Sequence, residues 1–233
     1  MDRAASGWAA PWRWPRRGRH VVVAARGQAE LQASVAEMQG AGLSSEALAL
    51  DVTDRAAVVA AMDRVGPLDA LVNSAGLARH GPALETAEAD YDAVMAVNVK
   101  AAYHLAQEAA RRMGAGGGSI IQISSQMGHV GGLDRAVYCA SKHAVEGMTK
   151  AMATEWGGRG IRVNTVCPTF IRTPLTEPTF ADPEKRAWIE SKIKLGRVGR
   201  VEDIMGAVLF LASDAAAMVT GTAILVDGGW TAG

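Results

Sequence analysis

The sequence lacks net charge: 24 lysines and arginines balance 24 aspartates and glutamates over 233 residues. No excess field favours nucleic acid or an anionic membrane surface, so a small-molecule substrate is the expected partner. Cysteine is scarce. Cys139 and Cys167 stand at no metal-binding or redox spacing, so no metal is expected, and isolated thiols point to a reducing, cytoplasmic compartment. Long apolar runs are missing as well. Nothing approaches the ~18 residues of a membrane-spanning helix, and the first twenty residues lack the unbroken apolar core of a secretory signal.

What is present is a 49% hydrophobic chain, long enough for one sizeable core. Its composition shifts once. Residues 1–19 hold Trp8, Trp12, Trp14, Pro11, Pro15 and five arginines, whereas residues 20–233 read as one domain of alternating short apolar runs and helix-length segments. The strand-sized runs are 21–25, 47–50, 68–72, 120–123, 162–166 and 224–226. Helices are expected at 27–40, 54–65, 88–113, 138–156 and 201–212. Runs that are apolar throughout suit strands buried on both faces. The expected fold class is therefore α/β, a doubly wound, Rossmann-like parallel sheet with helices on both faces. Residues 169–201, with Pro174, Pro178, Pro183 and a short helix near 183–195, form the one long irregular stretch and read as a lid.

Tyr138 and Lys142 in "YCASK" stand four apart, on one face of a helix. An ammonium beside a phenol favours phenolate, which a general acid/base serving an alcohol/ketone pair requires. Thirteen residues earlier, Ser125 closes the run "IIQISS", and strand carboxyl ends are where open α/β sheets bind ligands. Its hydroxyl can hydrogen-bond a substrate oxygen as charge develops there. Asn98 is a polar amide within the apolar helix "YDAVMAVNVKAAY", either a satisfied core residue or part of a proton relay. "NSAG" at 73–76 ends another strand in a turn that brings backbone close to a ligand. Gln126, His129, Arg172 and Trp188 are weaker candidates to face substrate, and His80 and Lys100 carry no signal.

Asn98, Ser125, Tyr138 and Lys142 resemble, in identity and spacing, the catalytic tetrad of the short-chain dehydrogenase/reductase family. "NSAG" resembles its "NNAG" motif, "NTVCPTFIRTP" its "N-x-V-x-P-G-x-I-x-T" stretch beside the nicotinamide, and "VTGTAILVDGG" its last strand. The resemblance covers about residues 20–233. It implies that Tyr138 exchanges the proton, Ser125 orients the substrate oxygen, Lys142 also holds the nicotinamide ribose, and Asn98 positions a relaying water. It implies cofactor contacts at Arg26, Asp51, Val52, Asn73, Ala75, Gly76, Pro168, Ile171 and Thr173, and a homo-oligomer, commonly a tetramer. Family members that use NAD usually carry an acid where Ala25 stands. Here Arg26 follows instead, so NADP is the implied cofactor, with NAD as the second choice. Thr169 departs from the family glycine and narrows the nicotinamide side. The look of "SQMGHVGG" and of the proline-bearing lid suggests a sugar acid, polyol or similar small hydroxy compound as substrate. A 3-oxoacyl-thioester reductase and a catalytically impaired relic or binding protein are the alternatives.

The amino terminus does not fit. The family opens with a strand, the loop T-G-x-x-x-G-x-G and a helix facing the pyrophosphate. Only Ala4 to Gly7 resembles that loop, Ala9 replaces its last glycine, and Pro11 and Pro15 oppose the helix. The first strand is expected to be missing or poorly formed. Tryptophan has one codon, TGG, so the frame one base earlier turns Trp8-Ala9 into a codon pair ending in GGC, glycine. One consistent readout of residues 7–20 is G-L-G-R-P-M-A-L-A-E-A-G-A-H, the absent loop and helix. Residues 8–19 thus resemble a family segment translated out of frame between two compensating single-base changes.

Overall fold

The computed structural model describes residues 19–173 and 176–233. The expected loss of the first strand and the out-of-frame segment fall almost wholly on residues 1–18, outside the described residues. Six strands alternate with helices as the apolar runs predict. They are β1 (His20–Ala25), β2 (Ser44–Ala49), β3 (Ala70–Asn73), β4 (Gly118–Ile123), β5 (Ile161–Pro168) and β6 (Ala223–Val226). All neighbours are parallel. Among the described residues they form two sheets, β1-β2 and β3-β4-β5-β6.

Parity along the central strands builds a core on each face, because successive side chains point to opposite sides. Ile120 of β4 and Val163 of β5 join Leu50, Val58, Met62, Leu105, Ala109 and Met152 in one cluster. After α1 (Gln28–Gly40), which links β1 to β2, that face is covered by α2 (Arg55–Val65), α4 (Ala102–Arg112) and α5 (Ala136–Trp156). Ile121, next to Ile120, and Val166, three residues after Val163, enter the opposite cluster with Ile204, Val208 and Leu211 of α8 (Val201–Ala212). Helix ends follow local chemistry: the Asp54 carboxylate accepts from Ala57 N at 3.0 Å to start α2.

The segment expected as one helix over 88–113 is divided. It runs as a helix over Glu88–Met95 (α3), a π-helical turn over Ala96–Ala101 and then α4. Single π turns often mark functional positions, and Asn98 lies in this one. The 169–201 stretch carries α6 (Glu177–Phe180) and α7 (Pro183–Lys192), the latter capped by Asp182 with proline at its first position. This stretch has a small core of its own: Phe180, Ile189, Ile193 and Val198, packed against Phe170 and Trp230.

Candidate active site

Parallel strands place their carboxyl ends on one edge, and the residues singled out in the sequence gather there. Asn73 ends β3, Ser125 follows β4 and Pro168 ends β5. Tyr138 and Lys142 lie in the first two turns of α5, with Lys142 Nζ 5.7 Å from the Tyr138 ring centroid. The Lys142 side chain crosses to β4, where Nζ donates to the Ile123 carbonyl at 3.0 Å. Lys142 is only 4% exposed, and of its three ammonium protons that carbonyl is the described acceptor for one.

Ser125 is fixed by its own loop. Its hydroxyl donates to Gln126 Oε1 at 3.0 Å and accepts from Met127 N at 3.1 Å. Gln126 Nε2 donates in turn to Thr169 Oγ1 at 3.2 Å. The threonine that departs from the family glycine therefore anchors the amide that orients Ser125. Gly128 lets this loop lie on α5: a Cβ there would stand 3.1 Å from both Glu146 Cγ and Lys142 O.

Asn98 is 1% exposed and fully engaged. Its Oδ1 accepts from Leu77 N at 2.7 Å, and its Nδ2 donates to Leu77 O at 2.8 Å and Ser141 Oγ at 3.0 Å. Ser141 Oγ then donates to the Tyr138 carbonyl at 2.7 Å. One amide thus ties the loop following "NSAG" to the helix that carries the tyrosine. Asn98→Ala leaves these backbone groups without their partner in a buried site, at about 1–3 kcal/mol for each unsatisfied group. A lowered melting temperature is expected, together with reduced turnover.

The remaining cofactor candidates divide. Asn73 donates to Gln122 Oε1 at 2.7 Å and accepts from Ala75 N at 3.1 Å, which sets the turn leading to Gly76. Gly76 lies close to the tetrad: a Cβ there would stand 3.7 Å from Asn98 Oδ1 and 3.9 Å from Lys142 Nζ. Asp51 accepts from Thr53 N at 2.9 Å and Thr53 Oγ1 at 2.7 Å, and these bonds hold its carboxyl below the usual range. Arg26 lies 3.9 Å from Asp51, with both side chains substantially exposed. Val52 packs on the core beneath them. Ile171 is turned into the α8 core cluster, and its carbonyl accepts from Thr176 Oγ1 at 2.6 Å. Thr173 is buried, its N–H donating to Thr176 Oγ1 at 2.9 Å.

Of the weaker candidates, Arg172 is paired with Glu177 at 3.5 Å. Trp188, in the 169–201 stretch, is 47% exposed and meets the C-terminal Trp230 edge-on at 5.7 Å. His129 Nε2 lies 3.4 Å from Cys167 Sγ and 3.8 Å from Glu146 Oε2. These three side chains bring ligand-type atoms within 4.8 Å of one another, a cluster that the sequence spacing does not reveal. Its members already satisfy one another: the Cys167 thiol donates to Glu146 Oε1 at 3.3 Å and Thr165 Oγ1 to Glu146 Oε2 at 2.9 Å. Burial, then the Glu146 charge, pushes the Cys167 thiol up to about 12. His80, without signal in the sequence, meets the Tyr138 ring edge-on at 5.7 Å.

A family model described as enoyl-(acyl carrier protein) reductase matches residues 4–231. The chain is 42% identical to a D-threitol dehydrogenase of Mycolicibacterium smegmatis, over 86% of this chain and 78% of that one. It is 38% identical to a gluconate 5-dehydrogenase of Gluconobacter oxydans, over 93% and 86%. Among solved structures, a gluconate 5-dehydrogenase of Burkholderia cenocepacia in complex with NADP and tartrate superposes with a TM-score of 0.87 at 34% identity, covering 91% of this chain and 85% of that one.

Proposed function

The chain belongs to the short-chain dehydrogenase/reductase family of NAD(P)-dependent oxidoreductases, and from that premise we propose that it interconverts a secondary alcohol and a ketone on a small polyhydroxylated compound, a polyol or sugar acid, with NADP. The observation that carries this reading is Lys142. A buried ammonium beside a tyrosine ring, with donors to spare at the carboxyl edge of the sheet, suits a site where phenolate forms and ribose hydroxyls are held.

The described residues suit the two ends of the dinucleotide, its phosphorylated ribose and its nicotinamide, while the loop for the pyrophosphate falls on residues 1–18. Arg26, beside the fixed carboxylate of Asp51, offers a guanidinium fork to a ribose phosphate. Val52, Asn73, Ala75, Gly76, Pro168, Ile171 and Thr173 follow along the same edge. When bound, the nicotinamide supplies the hydride acceptor or donor. The protein's part is proton transfer and orientation. Ser125, placed by Gln126 and Thr169, turns its hydroxyl from the Gln126 acceptor to the substrate oxygen when substrate binds. Tyr138 takes the alcohol proton or returns it to the ketone oxygen, and Lys142 places positive charge beside the ring that must become anionic. Asn98 holds the backbone along which the proton passes outward through water.

Residues 20–233 act as one domain in this reading, in a cytoplasmic homotetramer. Phe210 and Leu225, 39% and 44% exposed, offer apolar surface for the contacts between copies. No helix among the described residues is long and apolar enough to cross a membrane.

The test is a panel of polyols, sugar acids, their keto forms and an acetoacetyl thioester, assayed with both nicotinamide cofactors. Polyol or sugar-acid turnover is expected, with NADP preferred about tenfold and the preference reversed by Arg26→Asp. Turnover confined to the thioester would replace the proposed substrate class with acyl reduction. Well-folded protein that binds NADPH and turns over nothing would leave the relic.

A further inference from the structure

A second cation lies by Tyr138. Arg135 immediately precedes α5, and its Nη1 is 2.8 Å from His80 Nε2. Its guanidinium carbon stands 5.2 Å from the centroid of the Phe170 ring, and the His80 ring rests edge-on against Tyr138. Phe170 adjoins Thr169, the residue that anchors Gln126 and through it Ser125. Arg135 therefore borders the cleft that holds both the tyrosine and the serine.

The company of this arginine differs from that of arginines paired with carboxylates and from that of Arg159 and Arg162, which donate to backbone carbonyls. Arg112 pairs with Glu108 and Asp63, Arg172 with Glu177 and Arg197 with Asp203. No carboxylate among the described residues forms an ion pair with Arg135. The adjacent Asp134 acts on it only through space. His80 brings no countercharge, because burial, then the Arg135 charge, lowers its pKa to about 4, and the neutral ring accepts from the guanidinium. Phe170 offers only the face of its ring. Burial also holds the Arg135 guanidinium below its ordinary value, outweighing the through-space pull of Tyr138, Cys139 and Asp134, the mark of a cation partly stripped of water. A guanidinium has five donors in a planar fork, and His80 takes one.

We propose that Arg135, seated on Phe170 and steadied by His80 beside Tyr138, is a carboxylate-binding subsite, so that the preferred substrate is a sugar acid and not a neutral polyol. This rests on the alcohol/ketone chemistry proposed above and selects between its two substrate classes. The fork grips a carboxylate through two parallel hydrogen bonds, and a partly desolvated cation without a counterion gains more from a substrate anion than a solvated one does. Tethered at its acid end, the substrate is held with a hydroxyl-bearing carbon in reach of Tyr138 and Ser125.

The experiment titrates the full chain, with and without NADP, against pairs differing only in the acid group: D-gluconate with D-glucitol, and D-threonate with D-threitol. Isothermal calorimetry is expected to show the acids bound about 10- to 100-fold more tightly. Arg135→Gln is expected to bring acid affinity down to that of the polyol while leaving polyol affinity unchanged, and Arg135→Lys to retain part of the preference. Equal binding of acid and polyol by the parent chain overturns the subsite, as do undetectable acid binding, a preference surviving Arg135→Gln, or equal loss of both ligands. Hydride transfer is read separately from NADPH absorbance. A chain that binds acids selectively but turns over nothing defeats the proposed activity and leaves the subsite standing. One that oxidises both but binds acid and polyol equally does the reverse.

Discussion

Tyr138→Phe is expected to lower kcat by about a thousandfold while leaving KM and the melting temperature close to those of the parent chain. The magnitude follows from removing a positioned proton donor and acceptor, a contribution that spans roughly 10²–10⁴. The split follows from what the structure assigns to the rest of the side chain. The ring, not the hydroxyl, makes the edge contact with His80 and lies beside Lys142, and phenylalanine keeps that ring. The anchors of α5 are also untouched, since Ser141 bonds the Tyr138 carbonyl and Lys142 the Ile123 carbonyl. Loss of kcat with unchanged substrate binding marks an interaction made only in the transition state. A kcat within tenfold of the parent would mean that another group carries the proton.

Much of this site is legible in the sequence because its elements are local. Tyr138 and Lys142 share a helix face, and Ser125 and Asn73 lie at the ends of runs whose apolar patterning already marks them as strands. The two-faced core is legible for the same reason: Ile120 and Ile121 are adjacent residues in a strand, so they must enter different clusters. What stays hidden comes from contacts between residues far apart in the chain. Asn98 reads equally as core amide or relay until Leu77 and Ser141 are seen around it. Its π turn has no signature in a segment whose apolar pattern suits one continuous helix. His80 and Arg135 are 55 residues apart and Cys167 and Glu146 are 21. Neither pairing leaves a spacing that a motif could capture. A reading of Arg135 from sequence could have begun from its place one turn before the tyrosine, but a lone arginine there looks like any solvated helix start.

The other large effect is expected at the amino terminus. Replacing residues 7–20 by the readout G-L-G-R-P-M-A-L-A-E-A-G-A-H should tighten NADPH binding by about 10²–10⁴-fold over the chain as given, measured by fluorescence titration. Hydrogen bonds to a charged group contribute about 1.5–3 kcal/mol each, and a glycine loop at a helix start supplies at least two to a pyrophosphate. In the chain as given Ala9 stands where the last glycine belongs, and Pro11 and Pro15 remove donors from the helix that follows. The described strands point the same way. β4 and β5 are almost wholly buried, whereas Val21, Val22 and Val23 of β1 and Leu71 and Val72 of β3 are only half-buried. β1 pairs with β2 and β3 with β4, and among the described residues each leaves its other edge without a partner strand. In the family's order the first strand belongs between them, and apolar edges that no strand covers would invite association between chains. The restored chain should therefore also stay soluble to higher concentration. Submicromolar NADPH binding by well-folded chain as given would show that residues 8–19 already serve the pyrophosphate. Resequencing the DNA settles the origin: an error in this stretch makes it a sequencing artefact, and a confirmed sequence makes it a mutation that separated an intact catalytic edge from its cofactor loop.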